Sequence, residues 1–171
     1  PIEFRPKKVI DVHGVVTNEK GEPLKVSFDI IRNGKSQNNN SLKSNPDDGN
    51  YTVVLVEGYD YTILVSAKGY ETLELPYDLS NVSEYKLIEQ NLKLIKIKRQ
   101  LTVEIRDKRN EKRLDAVLNK AGKEFSEAIK DSIGYYSIQM SFGESHSFTA
   151  NKEGYAPVQA KVILDDKHLE D

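Results

Sequence analysis

"GYDYTILVSAKGYETLEL" occupies residues 58–75 and "GESHSFTANKEGYAPVQA" occupies residues 143–160. Each opens on a glycine, continues through an alternating run and reaches a Gly-Tyr pair at the same distance. In the first copy Tyr61, Ile63 and Val65 share one face of a strand, because side chains alternate with a period of two. Gly69 supplies a corner that tolerates neither a side chain nor a negative φ, and Tyr70 packs across it. In the second copy His146 stands in place of Tyr61, while Gly143, Gly154 and Tyr155 are retained. A repeated catalytic or ligand site would keep its polar atoms. What repeats here is turn glycines and a corner tyrosine, which is what a fold requires. Function then has to lie in what differs between the copies.

The repeat reaches further. Gly49, Tyr51, Gly58, Gly69 and Tyr70 map onto Gly134, Tyr136, Gly143, Gly154 and Tyr155 at a constant offset of 85. Upstream, "VTNEKGEPLKV" (16–26) aligns with "IRDKRNEKRLDAV" (105–117), placing Leu24 over Leu114 at an offset of 90. The extra residues of the first copy fall in the polar loop "SQNNNSLKSNPDDGN" (36–50). Two copies are too few for a solenoid, so the pattern predicts tandem domains, 1–97 and 98–171.

Strand signals dominate both. Residues 9–17, 25–31, 51–56, 61–67 and 71–75, then 101–107, 115–119, 124–131, 135–140, 146–152 and 157–164, are short and rich in β-branched or aromatic residues. Turn clusters such as "NEKGEP", "NPDDGN" and "AKGY" bound them. Leu101, Val103 and Ile105 alternate cleanly, as in a half-buried antiparallel strand. The expected class is an all-β sandwich. A helix over 80–90, capped by Ser80 with Glu84 one turn on, is the alternative to an extended segment there; the extended reading is preferred. In "NLKLIKIKRQLTVEI" (91–105) the apolar phase shifts from Leu92 and Leu94 to Ile95, Ile97 and Leu101. A one-residue shift turns the buried face over, so it marks a bulge or the hand-over between units, through a short, stiff link.

Of 171 residues, 25 are Lys or Arg and 27 are Asp or Glu, a net charge of −2. That balance, with charges scattered rather than blocked, argues against nucleic acid or an anionic membrane surface as partner. There is no cysteine, which excludes disulfides, thiolate metal sites and cysteine nucleophiles. No apolar run approaches a membrane span, so direct membrane insertion is not expected. The abrupt ends, "PIEFRPKK" and "KHLED", suggest a piece excised from a longer protein, with any signal or anchor elsewhere.

The residues Gly14, Gly21, Pro23, Leu24, Gly49, Tyr51, Gly58, Tyr61, Gly69 and Tyr70 together resemble carboxypeptidase regulatory-like domains. The resemblance implies seven-stranded, prealbumin-like (transthyretin-like) Greek-key β-sandwiches. The continuation at 75–97 is similar to versions in OmpA-family envelope proteins of Bacteroidetes-type bacteria, including type IX secretion and gliding components. The second unit departs, with Arg113 where the family has Pro and Asn110 where it has Gly. The motif consists of turn glycines and core aromatics, so it specifies fold rather than activity.

Candidate chemistry is sparse. His13, followed by "GEP", faintly resembles the hydrolase branch of the transthyretin fold, but the C-terminal Tyr-Arg-Gly-Ser of that branch is absent, and a structural histidine is expected. His146 and His168 have no metal-spaced partner. A self-made isopeptide bond needs Lys, Asn and an acid together in a core. The positions leading into the Gly-Tyr turns offer Ser66 and Asn151, and no acid. Asp47 and Asp48 sit in an oxygen-rich loop that calcium favours, yet Asp-Asp-Gly before a strand reads as a turn. Tyr51, Tyr61, Tyr70, Tyr135, Tyr136 and Tyr155 are expected in cores; a glycan or peptide platform is the alternative. Lys96 and Lys98 alternate with apolar residues on one strand face, reading as edge protection or as a dock for an acidic partner. No catalytic, cofactor-binding or metal residue is assigned, and no cofactor. The expectation is a non-catalytic structural and protein-interaction module that spaces neighbouring domains in the periplasm or outer-membrane envelope. Its partners are envelope proteins, with peptidoglycan reached only through a domain outside this chain. The alternative is a carbohydrate-binding module of an outer-membrane uptake system.

Overall fold

The structure, a computed structural model, describes residues 7–37, 42–82, 84–165 and 167. It divides into two compact units, Pro1–Lys96 and Ile97–Asp171. Both are all-β sandwiches.

Unit 1 contains β1 (Val9–Thr17), β2 (Ser27–Arg32), β3 (Lys35–Ser36), β4 (Asn50–Val56), β5 (Asp60–Ser66), β6 (Leu73–Asp78), β7 (Lys86–Glu89) and the two-residue β8 (Leu92–Lys93). One sheet has the order β4-β1-β7, with β8 also on β1; the other is β3-β2-β5-β6. β1 runs antiparallel to β4 and parallel to β7 and β8. The alternation read in the sequence sets the core: Tyr51, Val53 and Leu55 of β4 and Tyr61, Ile63 and Val65 of β5 are all buried. Gly58, at φ 91°, turns the chain between these strands, a conformation that costs glycine little.

Unit 2 contains β9 (Lys98–Glu104), β10 (Val117–Lys120), β11 (Lys123–Glu124), β12 (Ala128–Ser132), β13 (Tyr135–Ser141), β14 (Ser145–Asn151) and β15 (Val158–Ile163). Its sheets are β12-β13-β9 and β11-β10-β14-β15. Leu118, Phe125, Tyr136, Ile138, Met140, Phe148 and Leu164 form the core.

The register ties the units together. Tyr51 pairs with Gly14 and Val53 with Val12. Their repeat equivalents Tyr136 and Ile138 pair with Val103 and Leu101. β9 therefore takes the role of β1, residue for residue. The third strand of that sheet differs. In unit 1 it is β7, added outside β1; in unit 2 it is β12, added outside β13. The compact "EAIKDS" in unit 2 replaces the long polar loop of unit 1, and it is short enough to lie back along β13.

The helix alternative over 80–90 is not what forms. Asp78 accepts hydrogen bonds from the Ser80 N–H (3.0 Å) and hydroxyl (2.5 Å), which fixes a turn, and β7 begins at Lys86. The single strand expected at 124–131 breaks in two, because Phe125 plunges into the core and its N–H bonds the Leu118 carbonyl at 2.8 Å.

Candidate interaction surface

The seam between the two sheets of unit 1 is sealed by residues 86–96. Gln90 N–H donates to the His13 carbonyl (2.8 Å) and Leu94 N–H to that of Thr17 (3.0 Å). Asn91 Oδ1 accepts from the Val15 N–H at 2.9 Å. At the other sheet, Glu71 N–H donates to the Ile95 carbonyl at 2.9 Å. Leu92 and Leu94 fill the seam, Leu94 with 1% exposure. The Gln90 carbonyl turns inward, where the Tyr51 hydroxyl donates to it at 2.6 Å. Burial, with Tyr77 alongside, pushes the Tyr51 phenol up to about 12. Gly14 exists for this contact: a Cβ there would lie 2.1 Å from the Gln90 oxygen.

Unit 2 has no such seal among the described residues. No described strand pairs with the outer edge of β9. Val16 is fully buried and Val12 nearly so, whereas their counterparts Ile105 and Leu101 are half-buried. Across the seam, Leu75 is buried but its counterpart Ala160 is exposed, and Val158 is 63% exposed. An apolar cleft of about 320 Å³ remains, lined by Val103, Ile105, Phe148, Ala150, Val158 and Ala160. Tyr136 cannot copy the bond of Tyr51, and its hydroxyl donates to the Ala116 carbonyl instead.

Charged groups frame the cleft. Glu104 accepts a 2.6 Å bond from Arg113 Nε and two 2.9 Å bonds from Arg106 Nη2, which, Arg113 foremost, hold its carboxyl below the usual range. Asp107 accepts from the Arg109 N–H and the Tyr155 hydroxyl, both at 2.8 Å. These bonds, the Arg109 one foremost, likewise hold its carboxyl down. With Glu104 and Asp107 bonded internally, the cleft lining presents Lys108 as an exposed cation. The arrangement offers apolar area beside a mixed charged border.

The other candidates sit elsewhere. His13 lies on β1 with its Nδ1 buried and without a partner. His146 Nδ1 stands 2.7 Å from Lys120 Nζ and against the Phe125 ring. His168 lies outside the described residues. Ser66 is exposed at the end of β5, and the Asn151 amide bonds back to the Thr149 carbonyl of its own strand at 3.4 Å. Asp48 accepts from the Asn50 N–H, and Asn45 from that of Asp47, as a turn requires. Among the described residues no group of three or more His, Cys, Asp or Glu is placed to hold a metal ion. Tyr51, Tyr61 and Tyr136 are buried and Tyr70 and Tyr135 half-buried, whereas Tyr155, expected in a core, is 37% exposed because its hydroxyl is drawn to Asp107 at the edge of the cleft. Lys96 and Lys98 do not share a strand face: Lys96 bridges to Tyr70 in unit 1, while Lys98 opens β9 in unit 2. Sequence reasoning passed over the cleft itself. Its signal was present as Gly14 against Val103 and Leu75 against Ala160.

No protein-family model matches the chain, and no curated protein matches it. Solved structures do. The Bacillus anthracis TIE protein aligns over 92% of this chain and 31% of its own, at 16% identity and a TM-score of 0.55. The chain thus spans under a third of that protein's length, and the likeness shows the β-sandwich fold alone. BcpA, the major pilin subunit of Bacillus cereus, aligns over 90% of this chain and 67% of its own, at 10% identity and TM-score 0.45. The shaft pilin SpaA from Lactobacillus rhamnosus GG aligns over 94% and 95%, at 11% identity and TM-score 0.33.

Proposed function

We propose that this chain is a non-catalytic structural and protein-docking module. The observation that carries the reading is the contrast between two copies of one scaffold. The shared glycines sit at turns and close approaches and Tyr51 and Tyr136 are buried, while among the described residues the copies diverge at a seam that is sealed in unit 1 and carries an apolar cleft in unit 2. An exposed apolar cleft of this kind marks an interaction site.

The resemblance to carboxypeptidase regulatory-like domains supports a finer reading. The chain would belong to a cell-envelope protein of OmpA type, in the periplasm or at the outer membrane, within secretion or gliding machinery. It would space neighbouring domains and bind envelope proteins there, with peptidoglycan reached through another domain. The carbohydrate-uptake alternative needs exposed aromatic platforms, and the hydroxyls of Tyr51, Tyr61, Tyr136 and Tyr155 are bonded within the protein.

Photo-cross-linking tests the reading in cells that carry the full gene, with the photoreactive residue at Gln100 or Ala160. Protein adducts in the envelope fraction are the expected result. Absence of protein adducts, together with binding on a glycan array, would reverse it.

A further inference from the structure

We propose that the outer face of the β4-β1-β7 sheet in unit 1 docks an amphipathic helix of a partner protein. The helix is aliphatic on the stripe it buries and carries lysine or arginine along the borders of that stripe. This surface is separate from the unit 2 cleft, and the inference goes beyond the docking reading drawn from that cleft.

The inner face of this sheet carries Val12, Val53 and Leu55, all buried. The intervening residues point the other way, since side chains alternate along a strand. A sheet with one face on a core normally turns polar residues to water on the other. Here the register sets Val54, Asp11 and Leu87 side by side across three strands, with Val9 beside Val56 in the next row. Val54 is 55% exposed and Leu87 58%. Tyr85, 56% exposed, adds its ring to the same face and donates its hydroxyl to Asp11 at 2.9 Å.

Unit 2 shows that the scaffold does not require this. Val54 and Val56 correspond to Gln139 and Ser141 at the offset of 85. Those two pair with Gln100 and Lys98, where unit 1 has Asp11 and Val9. Val15 is likewise replaced by Glu104. The outward valines of β1 and β4 thus become polar in the copy, and the copy still forms its sheet. Contiguous exposed apolar area that the fold does not need marks a contact surface.

Shape and charge choose the occupant. β4 and β7 lie about 5 Å to either side of β1, so the face is about 10 Å across, the width of one helix with its side chains. From Val9 to Val15 it runs about 20 Å, the length of a helix of about 13 residues. The backbone groups of a sheet point along its plane, so a strand laid on this face would find nothing to pair with. A helix satisfies its own backbone and needs only an apolar stripe. The outward positions of β1, β4 and β7 hold the carboxylates Asp11 and Glu89 and no lysine or arginine. Cations at the borders of the helix stripe complement them, which steers the encounter and disfavours acidic partners.

The probe is the capped peptide Lys-Leu-Lys-Ala-Leu-Leu-Lys-Lys-Leu-Ala-Lys-Leu-Leu, titrated into the intact chain and followed by calorimetry and methyl NMR. Binding should shift the Val54 and Leu87 methyl signals and leave that of Ile138 in unit 2 in place. Two control peptides should each bind at least about tenfold more weakly: one of the same composition with leucines all round the helix, and one with glutamate for every lysine. Val54→Gln with Val56→Ser copies the unit 2 face and should weaken binding by a similar factor, in a chain whose Val12 and Val53 methyl signals show it folded. Asp11→Asn should narrow the preference for the lysine peptide over the glutamate one. Four results would each overturn the proposal: no binding of the probe at about 1 mM, equal binding of either control, unshifted Val54 and Leu87 methyls in the bound state, or shifts of those methyls with chain concentration alone, which would make a second copy the occupant. Cross-linking at Gln100 and Ala160 reports on unit 2, so the reading of the cleft stands or falls separately.

Discussion

Gly14 and Tyr51 form one device in unit 1: a missing side chain admits the Gln90 carbonyl, and a buried hydroxyl meets it. Gly14→Ala forces a Cβ onto backbone atoms that have little freedom to retreat. Overpacking of this kind costs about 2–3 kcal/mol, so the unit 1 transition in urea should move down while the unit 2 transition stays. Tyr51→Phe keeps the ring and removes the donor, leaving a buried carbonyl unpaired, at about 1–2 kcal/mol. The same denaturation series measures it. The matching change in unit 2, Val103→Ala, trims a side chain that is only half-buried among the described residues. It should cost about 1 kcal/mol or less.

Among the elements, the sealing segment 86–96 distinguishes the units. Leu94→Ala empties a buried site and should destabilise unit 1 by about 2–5 kcal/mol, read as a lowered urea midpoint and faster exchange of the His13 and Val15 amides. Most strands were legible in the sequence because period-two alternation maps directly onto burial, as in Tyr51-Val53-Leu55 and Tyr61-Ile63-Val65. The turn glycines were legible because their positions repeat. The exchange of β7 for β12 was not. "KLIE" and "AIKDS" are both short and extended, and which edge each joins depends on loop length and on long-range packing rather than on local pattern. The cleft was legible only in hindsight: Val103 against Gly14 and Ala160 against Leu75 are visible differences, but both are ordinary strand residues until the fold sets them across one seam. At the phase shift the buried face does not turn over at Ile95, which is 46% exposed beside the buried Leu94; the half-buried odd positions start at Ile97, where unit 2 begins.

In the whole molecule, the two units answer pH differently. Glu104, Asp107 and Asp115 of unit 2 have carboxyls held low, chiefly by Arg113, by the Arg109 N–H and by Lys130 respectively. A carboxyl lowered in the folded state stabilises above its unfolded value of about 4, and that stability is lost as pH falls through the folded value. In unit 1 the phenols of Tyr51 and Tyr77 are raised by burial, Tyr51 to about 12. A raised group contributes in full below its unfolded value of about 10 and loses its contribution as pH rises through the folded one. Acid titration followed by methyl NMR should therefore perturb the Ile138 and Met140 signals before those of Val12 and Val53. Unit 2 also has a phenol raised by burial, Tyr136, and unit 1 a carboxyl, Asp78, held low by Ser80, so the contrast is one of number, and alkaline titration should perturb unit 1 the more, together with its phenolate absorbance.

The parallel pairing of β1 with β7 and β8 also has a consequence in time. It joins residues as far apart in sequence as Val15 and Asn91, a separation of 76, whereas the pairing of β9 with β13 spans about half that. Long-range contacts are slow to form because the intervening chain must first be ordered. As the chain emerges from the ribosome, β1 stands with a bare edge until Leu94 is made, so the first unit synthesised cannot finish folding until its last residues appear. Refolding of the intact chain should then show a slow phase that carries the unit 1 amides, and Leu94→Ala should slow it further if that contact belongs to the transition state. The seal that closes unit 1 at equilibrium also makes it wait for its own last residues.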